Sequence, residues 1–306
     1  MDVAVTRIDL PSPVLAAASD GALVWCAGSG GVRAYTTSGT PLEAADEAGA
    51  LPGLRSLPEL RSLAAVPATV AGTAGVPGAL AGTVVVPRTF AAPPLVGSLP
   101  PDSLPQGCLA GASADRVYWF DQRGAPIASA RFEGRVLAGG GEIWAVGADR
   151  ARRLIEPGHL GDPVDLPGLD LCAVEGERLW WTSKRDTVLR GGPREVEVGT
   201  RERGGMVVCA GSLWISVAGG LLRVSAWSGE PRRFVGAPAG PVPFLGCANG
   251  VLAGGGRDLF ALPPVVGAAV RVIRLGLKAP LALMIAAGKH VWAFPAGRAQ
   301  ALIVPL

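Results

Sequence analysis

CAVEGERLWW, residues 172–181, reads as a short apolar strand, a polar turn and a second strand that ends on tryptophan. The chain repeats that order of events in both directions. Upstream it reads LAAASDGALVW from Leu15, CLAGASADRVYW from Cys108 and LAGGGEIW from Leu137, with a weaker copy, LAAVPATV, from Leu63. Downstream it reads CAGSLW from Cys209, CANGVL from Cys247 and IAAGKHVW from Ile285. The recurring alanines are Ala16, Ala64, Ala110, Ala138, Ala173, Ala210, Ala248 and Ala286, and the last four stand 37, 38 and 38 residues apart.

A period of that length is one supersecondary unit, which cannot bury its apolar face alone and must stack on its neighbours. A Pro- or Gly-containing connector precedes each copy: DLPSP before Val14, LPEL before Arg61, LPQG before Cys108 and FEG before Arg135. The series continues with DLPG before Leu169, RERGG before Met206, APAGP before Val242 and LKAP before Leu281. A hairpin, one or two further strands and a connector make the blade of a β-propeller. The expected fold is therefore all-β, a single β-propeller domain over residues 1–306. Eight copies are counted, with seven blades plus an irregular insertion as the alternative. The interval from Ala110 to Ala138 is only 28 residues, short for four strands, and residues 41–107 are rich in Ala, Gly and Pro, with two weak strand patterns at 79–86 and 95–99. One large side chain per blade, in most copies a tryptophan, is placed to fill the wedge between neighbouring sheets. Both chain ends, MDVAVTRIDL and AQALIVPL, read as strands, so the ring is expected to close by pairing the N-terminal strand, as outermost strand of the last blade, with the C-terminal one.

Composition agrees. Gly 44 and Pro 27 in 306 residues disfavour long helices, since Gly costs roughly 1 and Pro roughly 3 kcal/mol in a helix interior. Lys+Arg 28 against Asp+Glu 25 gives a net charge of +3, too little for a duplex-binding surface, so no nucleic-acid partner is expected. No stretch of about 18 uninterrupted apolar residues exists and no membrane partner is expected. The start lacks a basic region followed by an apolar run, and five cysteines without CxxC spacing suit reduced thiols, so the cytoplasm is the expected compartment. Cys108, Cys172, Cys209 and Cys247 share a repeat position with Leu15, Leu137 and Ile285 and read as small apolar side chains of inner strands.

Three copies continue into a further pattern: GVRAYTTSGTPLEA from Gly31, RVYWFDQRGAPIASARF from Arg116 and GLLRVSAWSGEPRRF from Gly220. In each, a turn glycine (Gly39, Gly124, Gly229) is followed two positions later by proline (Pro41, Pro126, Pro231). This resembles the repeat of PQQ-like (quinoprotein-type) propellers, in which a strand, an acidic position, a Thr-Gly turn and a tryptophan recur. The resemblance implies a scaffold propeller that holds other proteins on its faces. The family's acid is matched only by Asp121, its threonine position holds Ser38, Arg123 and Ser228, and the vicinal cysteines of the quinone-binding dehydrogenases are missing, so neither PQQ nor a catalytic residue carries over.

Chemistry-bearing groups are sparse. His159 and His290 fall at non-equivalent places in the repeat and are not expected to meet, and no catalytic residue, cofactor or metal is expected. The glycine runs at Gly139 and Gly254 have no following helix and read as turns rather than phosphate cradles. The loop after the Trp strand is more informative: Asp121 with Arg123; Asp149 with Arg150 and Arg152; Lys184 and Arg185 with Asp186; Arg257 with Asp258; and Arg298. The plain reading is an Asp that caps the turn beside a solvated Arg. The functional one is a polar rim on which Arg123, Arg150, Lys184, Arg185, Arg257 and Arg298 grip the carboxylates or phosphates of a partner or a small anion. Two functions are thus open: a non-catalytic platform for a protein partner in a multi-protein assembly, which is preferred, and an enzyme or ligand-binding propeller with an anionic ligand in its funnel.

Overall fold

The computed structural model describes residues 4–29, 31–42, 60–65, 109–120, 126–234, 240–263 and 269–306, and no helix occurs among them. The first sheet is β2 (Val14–Ser19), β3 (Leu23–Gly28) and β4 (Gly31–Thr36), preceded in the chain by β1 (Thr6–Asp9). The second is β5 (Ser62–Ala65), β6 (Leu109–Ala112), β7 (Arg116–Phe120) and β8 (Pro126–Arg131). The third is β9 (Arg135–Gly139), β10 (Glu142–Val146), β11 (Arg150–Glu156) and β12 (His159–Asp165). The fourth is β13 (Leu169–Glu175), β14 (Arg178–Ser183), β15 (Val188–Arg190) and β16 (Val196–Glu197). The fifth is β17 (Arg203–Cys209), β18 (Ser212–Val217), β19 (Gly220–Ser225) and β20 (Pro231–Phe234). The sixth is β21 (Phe244–Ala248), β22 (Val251–Gly255), β23 (Leu259–Leu262) and β24 (Arg271–Ile273). The seventh is β25 (Leu281–Ala287), β26 (His290–Pro295) and β27 (Gln300–Pro305), with β1 as its outermost strand.

Each sheet is an antiparallel meander, and the first strands β2, β5, β9, β13, β17, β21 and β25 touch in sequence until β25 meets β2. This is a closed ring of seven blades. Closure follows the expected plan: β1 pairs antiparallel with β27, from Thr6↔Ile303 to Asp9↔Gln300, and the Leu10 amide donates to Ala299 O at 2.9 Å. The edge of β27, whose Ala301–Val304 are buried, is thereby covered.

Eight copies become seven blades in the second sheet. β5 and β6 carry the copies from Leu63 and Cys108, yet they are partners in one sheet, with Ala64 opposite Ala110. The short interval from Ala110 to Ala138 therefore holds only the outer three strands of a blade whose innermost strand lies on the far side of residues 66–108. The strand patterns at 79–86 and 95–99 lie outside the described residues.

Seven apolar clusters fill the seven gaps between blades. Trp25 packs the first blade on the second, Trp119 the second on the third, and Trp144 the third on the fourth. Trp180 and Trp214 do the same for the fourth and fifth blades, and Trp292 packs the seventh on the first. The gap without tryptophan lies between the sixth and seventh blades, and it belongs to the copy that ends in Leu252. An indole that buries about 200 Å² contributes roughly 5 kcal/mol of apolar transfer, so each wedge is a substantial share of blade-to-blade cohesion. Two indoles also donate across the gap, Trp144 Nε1 to Gly176 O (3.2 Å) and Trp292 Nε1 to Thr37 O (2.9 Å).

Of the two glycine runs read as turns, Gly140 and Gly141 are turn glycines, whereas Gly254 and Gly255 lie within β22 and only Gly256 is outside it. A Cβ on Gly139 would lie 2.2 Å from Val174 O, because the hairpins of the third and fourth blades touch there and Gly176 N donates to Gly139 O at 3.1 Å. Of the turn glycines in the Gly-x-Pro pattern, Gly39 and Gly229 have φ of +102° and +67°, as a tight strand-to-strand turn requires, and Gly124 lies outside the described residues.

Candidate functional site: a cationic rim on one face

Alternation of strand direction gives the ring two unlike faces. Every inner strand starts on the face that receives the connector from the preceding blade, and the loops between second and third strands open on that same face. Five of the six basic residues singled out in the sequence sit there. Arg150 begins β11, Lys184 and Arg185 lie between β14 and β15, Arg257 between β22 and β23, and Arg298 between β26 and β27. All five are exposed. Arg123 lies outside the described residues. Its strand neighbours β7 and β8 are third and fourth in their blade, so the counterpart loop in the second blade is Ser113–Asp115, between β6 and β7. The expectation that placed Arg123 on this rim used the tryptophan as a marker of the second strand, and in this blade Trp119 stands in the third.

The aspartates beside these cations are occupied elsewhere. Asp149 Oδ1 accepts the Gly168 amide at 2.8 Å and its carbonyl accepts the Leu166 amide at 2.7 Å. Asp258 Oδ1 accepts the Leu275 amide at 3.1 Å. Leu166, Gly168 and Leu275 belong to the connectors that leave the same blades, so each loop is strapped to its connector. In the second and fourth blades a carbonyl makes the strap, Asp115 O to Phe132 N at 2.9 Å and Thr187 O to Val198 N at 2.8 Å. Asp186 caps its own turn through Val188 N (3.0 Å) and takes two bonds from Arg190, at 2.7 and 3.1 Å. The hydrogen bond from Arg190, followed by that from Val188, holds its carboxyl down to about 2. Arg190 in turn lies over Trp181, 5.1 Å from the ring centre. Among the described residues no carboxylate pairs with Arg150, Lys184, Arg185, Arg257 or Arg298. Asp186 caps its turn as the plain reading had it, whereas Asp149 and Asp258 tie their loops to connectors; of the exposed cations, Arg150 lies over the Phe132 ring, 6.0 Å from its centre.

The rim is most elaborate where the fourth and fifth blades meet. Arg201 Nη2 donates to Arg185 O at 3.0 Å. Arg203 Nη2 donates to Ser183 O (2.7 Å) and Asp186 O (3.2 Å) and lies 3.2 Å from Asp170 Oδ2, with the side chain 1% exposed. Its Nε and Nη1 are buried without a described partner. Sequence reasoning passed over Arg203 because it stands in the RERGG connector and its acid is 33 positions away in another blade. The signal beside it was the Gly pair: a Cβ on Gly204 would meet Val242 O at 2.0 Å.

Other reactive groups do not converge. His159 opens β12 in the third blade, exposed, with Nδ1 3.1 Å from Glu156 Oε1. His290 opens β26 in the seventh blade, on the same face as His159, away from the rim, but three blades round the ring, and burial followed by the charge of Lys289 lowers its pKa. No group of three metal-ligating side chains occurs among the described residues. A cavity of about 10 Å³ where the seventh and first blades meet, lined by Leu10, Ser12, Cys26, Arg33 and Tyr35, has room for about one water.

The cysteine expectation is corrected in part. Cys26 is a buried thiol pushed up to about 12 by burial, and Cys172 is also raised by burial, with Arg135 pulling the other way. Cys108 lies outside the described residues. Cys209 and Cys247, however, form a disulfide, with Cα atoms 5.3 Å apart. They stand 38 positions apart, one repeat, and one repeat in a ring means adjacent inner strands, here β17 and β21.

No protein-family model matches the chain, and no curated protein sequence does. Solved structures do. A catalytically inactive histidine-to-alanine variant of virginiamycin B lyase from Staphylococcus aureus, with quinupristin, is similar over 100% of both chains, with 13% identity and a TM-score of 0.67. The β-propeller domain of Cps50 (Swd1) from Myceliophteria thermophila is similar over 100% of this chain and 99% of that one, with 10% identity and a TM-score of 0.63. PorZ, a surface component of the type-IX secretion system of Porphyromonas gingivalis, is matched over 94% of this chain and 36% of that one, with 10% identity and a TM-score of 0.54. These neighbours do not show a PQQ-like family. They show the fold: the chain is a diverged seven-bladed β-propeller.

Proposed function

We propose that the chain is a non-catalytic platform for a protein partner and that the partner sits on the face that carries the connectors. The observation that carries this is the division of labour on the rim. Asp149 and Asp258 spend their carboxylates on connector amides and so hold the loops of Arg150 and Arg257 in place, while Arg150, Lys184, Arg185, Arg257 and Arg298 are exposed and pair with no carboxylate among the described residues. Preset guanidinium groups lose less entropy on meeting a carboxylate, and planar forks favour bidentate contacts. A propeller that serves as a component of a larger assembly, as PorZ does, is a precedent for the fold in that role.

The test is affinity capture from native extract with the full chain and with the triple variant R150Q/R185Q/R298Q. A partner held by the wild type in stoichiometric amount and lost by the variant, whose melting temperature is unchanged, supports the reading. Equal retention by both proteins rejects it, and so does a small anion that raises the melting temperature of the wild type alone, because that outcome assigns the rim to a ligand.

A further inference from the structure

The opposite face carries a feature that the rim does not explain. Seven of the eight tryptophans are buried or half-buried, whereas Trp227 is 89% exposed. It stands at the tip of the turn between β19 and β20. Among the described residues the other large exposed apolar side chains, Leu15, Ile127, Val164 and Val272, are aliphatic and less exposed, at 39–65%.

The turn is held rigidly. Gly229 N donates to Ser225 O (2.9 Å), Ser225 N to Glu230 O (3.1 Å), Ser228 N to Ser225 Oγ (3.2 Å) and Glu230 N to Ser228 Oγ (3.3 Å). Two arginines of the fourth blade grip its carbonyls: Arg178 Nη1 donates to Ala226 O at 3.0 Å and Arg194 Nε to Gly229 O at 3.2 Å. Arg194 also lies along the turn, where a Cβ on Gly229 would come within 2.7 Å of its Cγ. An indole presented this way has its backbone entropy already lost before any partner arrives.

The surroundings are basic. Arg194, Arg232 and Arg233 are exposed and form no ion pair among the described residues. Glu175 is engaged by Trp180 Nε1 at 2.8 Å and by Arg178 at 3.5 Å, and Glu177 by Arg153. Glu230 is the acid left on the turn itself. Arg232 and Arg233 stand on β20, the outer edge of the fifth sheet, where their charge opposes strand addition.

We propose that Trp227, with Arg194 and with Arg233, which the register opposite Leu222 turns toward the fourth blade, is a second docking surface, and that its occupant is an acidic protein segment with an apolar recess for the indole. Tryptophan and arginine dominate the energetics of protein interfaces, and the charge of this patch selects an acidic counterpart. A lone aromatic beside Glu230 is a poor anchor for an anionic bilayer, which favours a protein over a membrane.

The experiment selects displayed peptides of roughly twelve residues on the full chain and counter-selects on Trp227→Ala, whose exposed position leaves folding intact. The expected winners carry Asp or Glu around a Leu or Phe. Their affinity falls on the order of tenfold in W227A, falls less in R194Q and in R233Q, weakens with salt, and is unchanged in R150Q/R185Q/R298Q. Absence of Trp227-dependent peptides overturns the proposal, as do winners without acidic residues. Binding of the wild type, but not W227A, to phosphatidylglycerol vesicles overturns it in favour of a membrane. Failure here leaves the rim untouched, since the rim variant is measured separately.

Discussion

Replacing Cys209 and Cys247 together by alanine removes the only disulfide between blades among the described residues, and its cost follows from the spacing. The bridge spans 38 positions. Closing a loop of that size removes about 2.1 + 1.5R ln 38, or roughly 13 cal/mol/K, from the unfolded chain, which is about 3.9 kcal/mol at 25 °C. A chain of 306 residues has a melting entropy of about 0.64 kcal/mol/K, so the expected fall in melting temperature is about 6 °C. The assay is calorimetry of the oxidised wild type beside C209A/C247A, with peptide mapping after alkylation in denaturant to establish which thiols are blocked. A mapped bridge with melting temperatures within about 1 °C of each other would refute the loop-closure reasoning. Alkylation of both Cys209 and Cys247 without reductant would refute the bridge itself.

Two further outcomes follow from the same structure. Deleting residues 1–10 removes β1 and the Leu10–Ala299 bond and bares the buried edge of β27, so the truncated chain is expected to unfold at lower denaturant with a broader transition and to aggregate; an unchanged urea curve contradicts ring closure. The Asp186 carboxyl, followed by NMR, is expected to titrate near 2 and to move up toward the ordinary carboxylate range in Arg190→Gln. Because its folded pKa is depressed, its contribution to stability is complete above the unfolded carboxylate value near 3.9 and is lost as pH falls through about 2. A midpoint unchanged by the substitution contradicts the assigned cause.

Much of the fold is legible because a blade leaves its mark inside a short window. The inner alanines are small where sheets crowd, the turn is polar, and the tryptophan fills the gap to the next blade. Even the exception is visible, since the copy ending in Leu252 owns the gap without an indole. The second blade is not legible for the same reason. The motif marks a hairpin, not a distance from the axis, so β6 and β7 read as first and second strands although β5 displaces them outward. Arg203 and Asp170 meet through tertiary contact between blades, and neither has a local pattern. The disulfide was available: two cysteines one period apart are neighbours once the ring is accepted. Reading them by their likeness to Leu15 and Ile285 gave the wrong chemistry, since the copies differ in depth. Cys209 is the last residue of β17, opposite Ser212, while Cys172 lies three residues before the end of β13.

The rim and the Trp227 turn share one physical device, and it sets where the proposed binding groups sit. A loop that reaches into solvent binds weakly if it must first be ordered. On the connector face, the carboxylates of Asp149 and Asp258 fix loops to the chain segments that leave the same blade, which frees the adjacent cations. On the other face, Arg178 and Arg194 fix a turn that belongs to the next blade, which frees the indole. In both places a charged side chain is consumed by backbone so that its neighbour can point outward already ordered. The strap is made within a blade in the first case and between blades in the second. Loosening the fourth blade against the fifth should therefore blur the Trp227 surface while leaving Arg150 and Arg257 in place, and that asymmetry separates a docking turn from a merely exposed side chain.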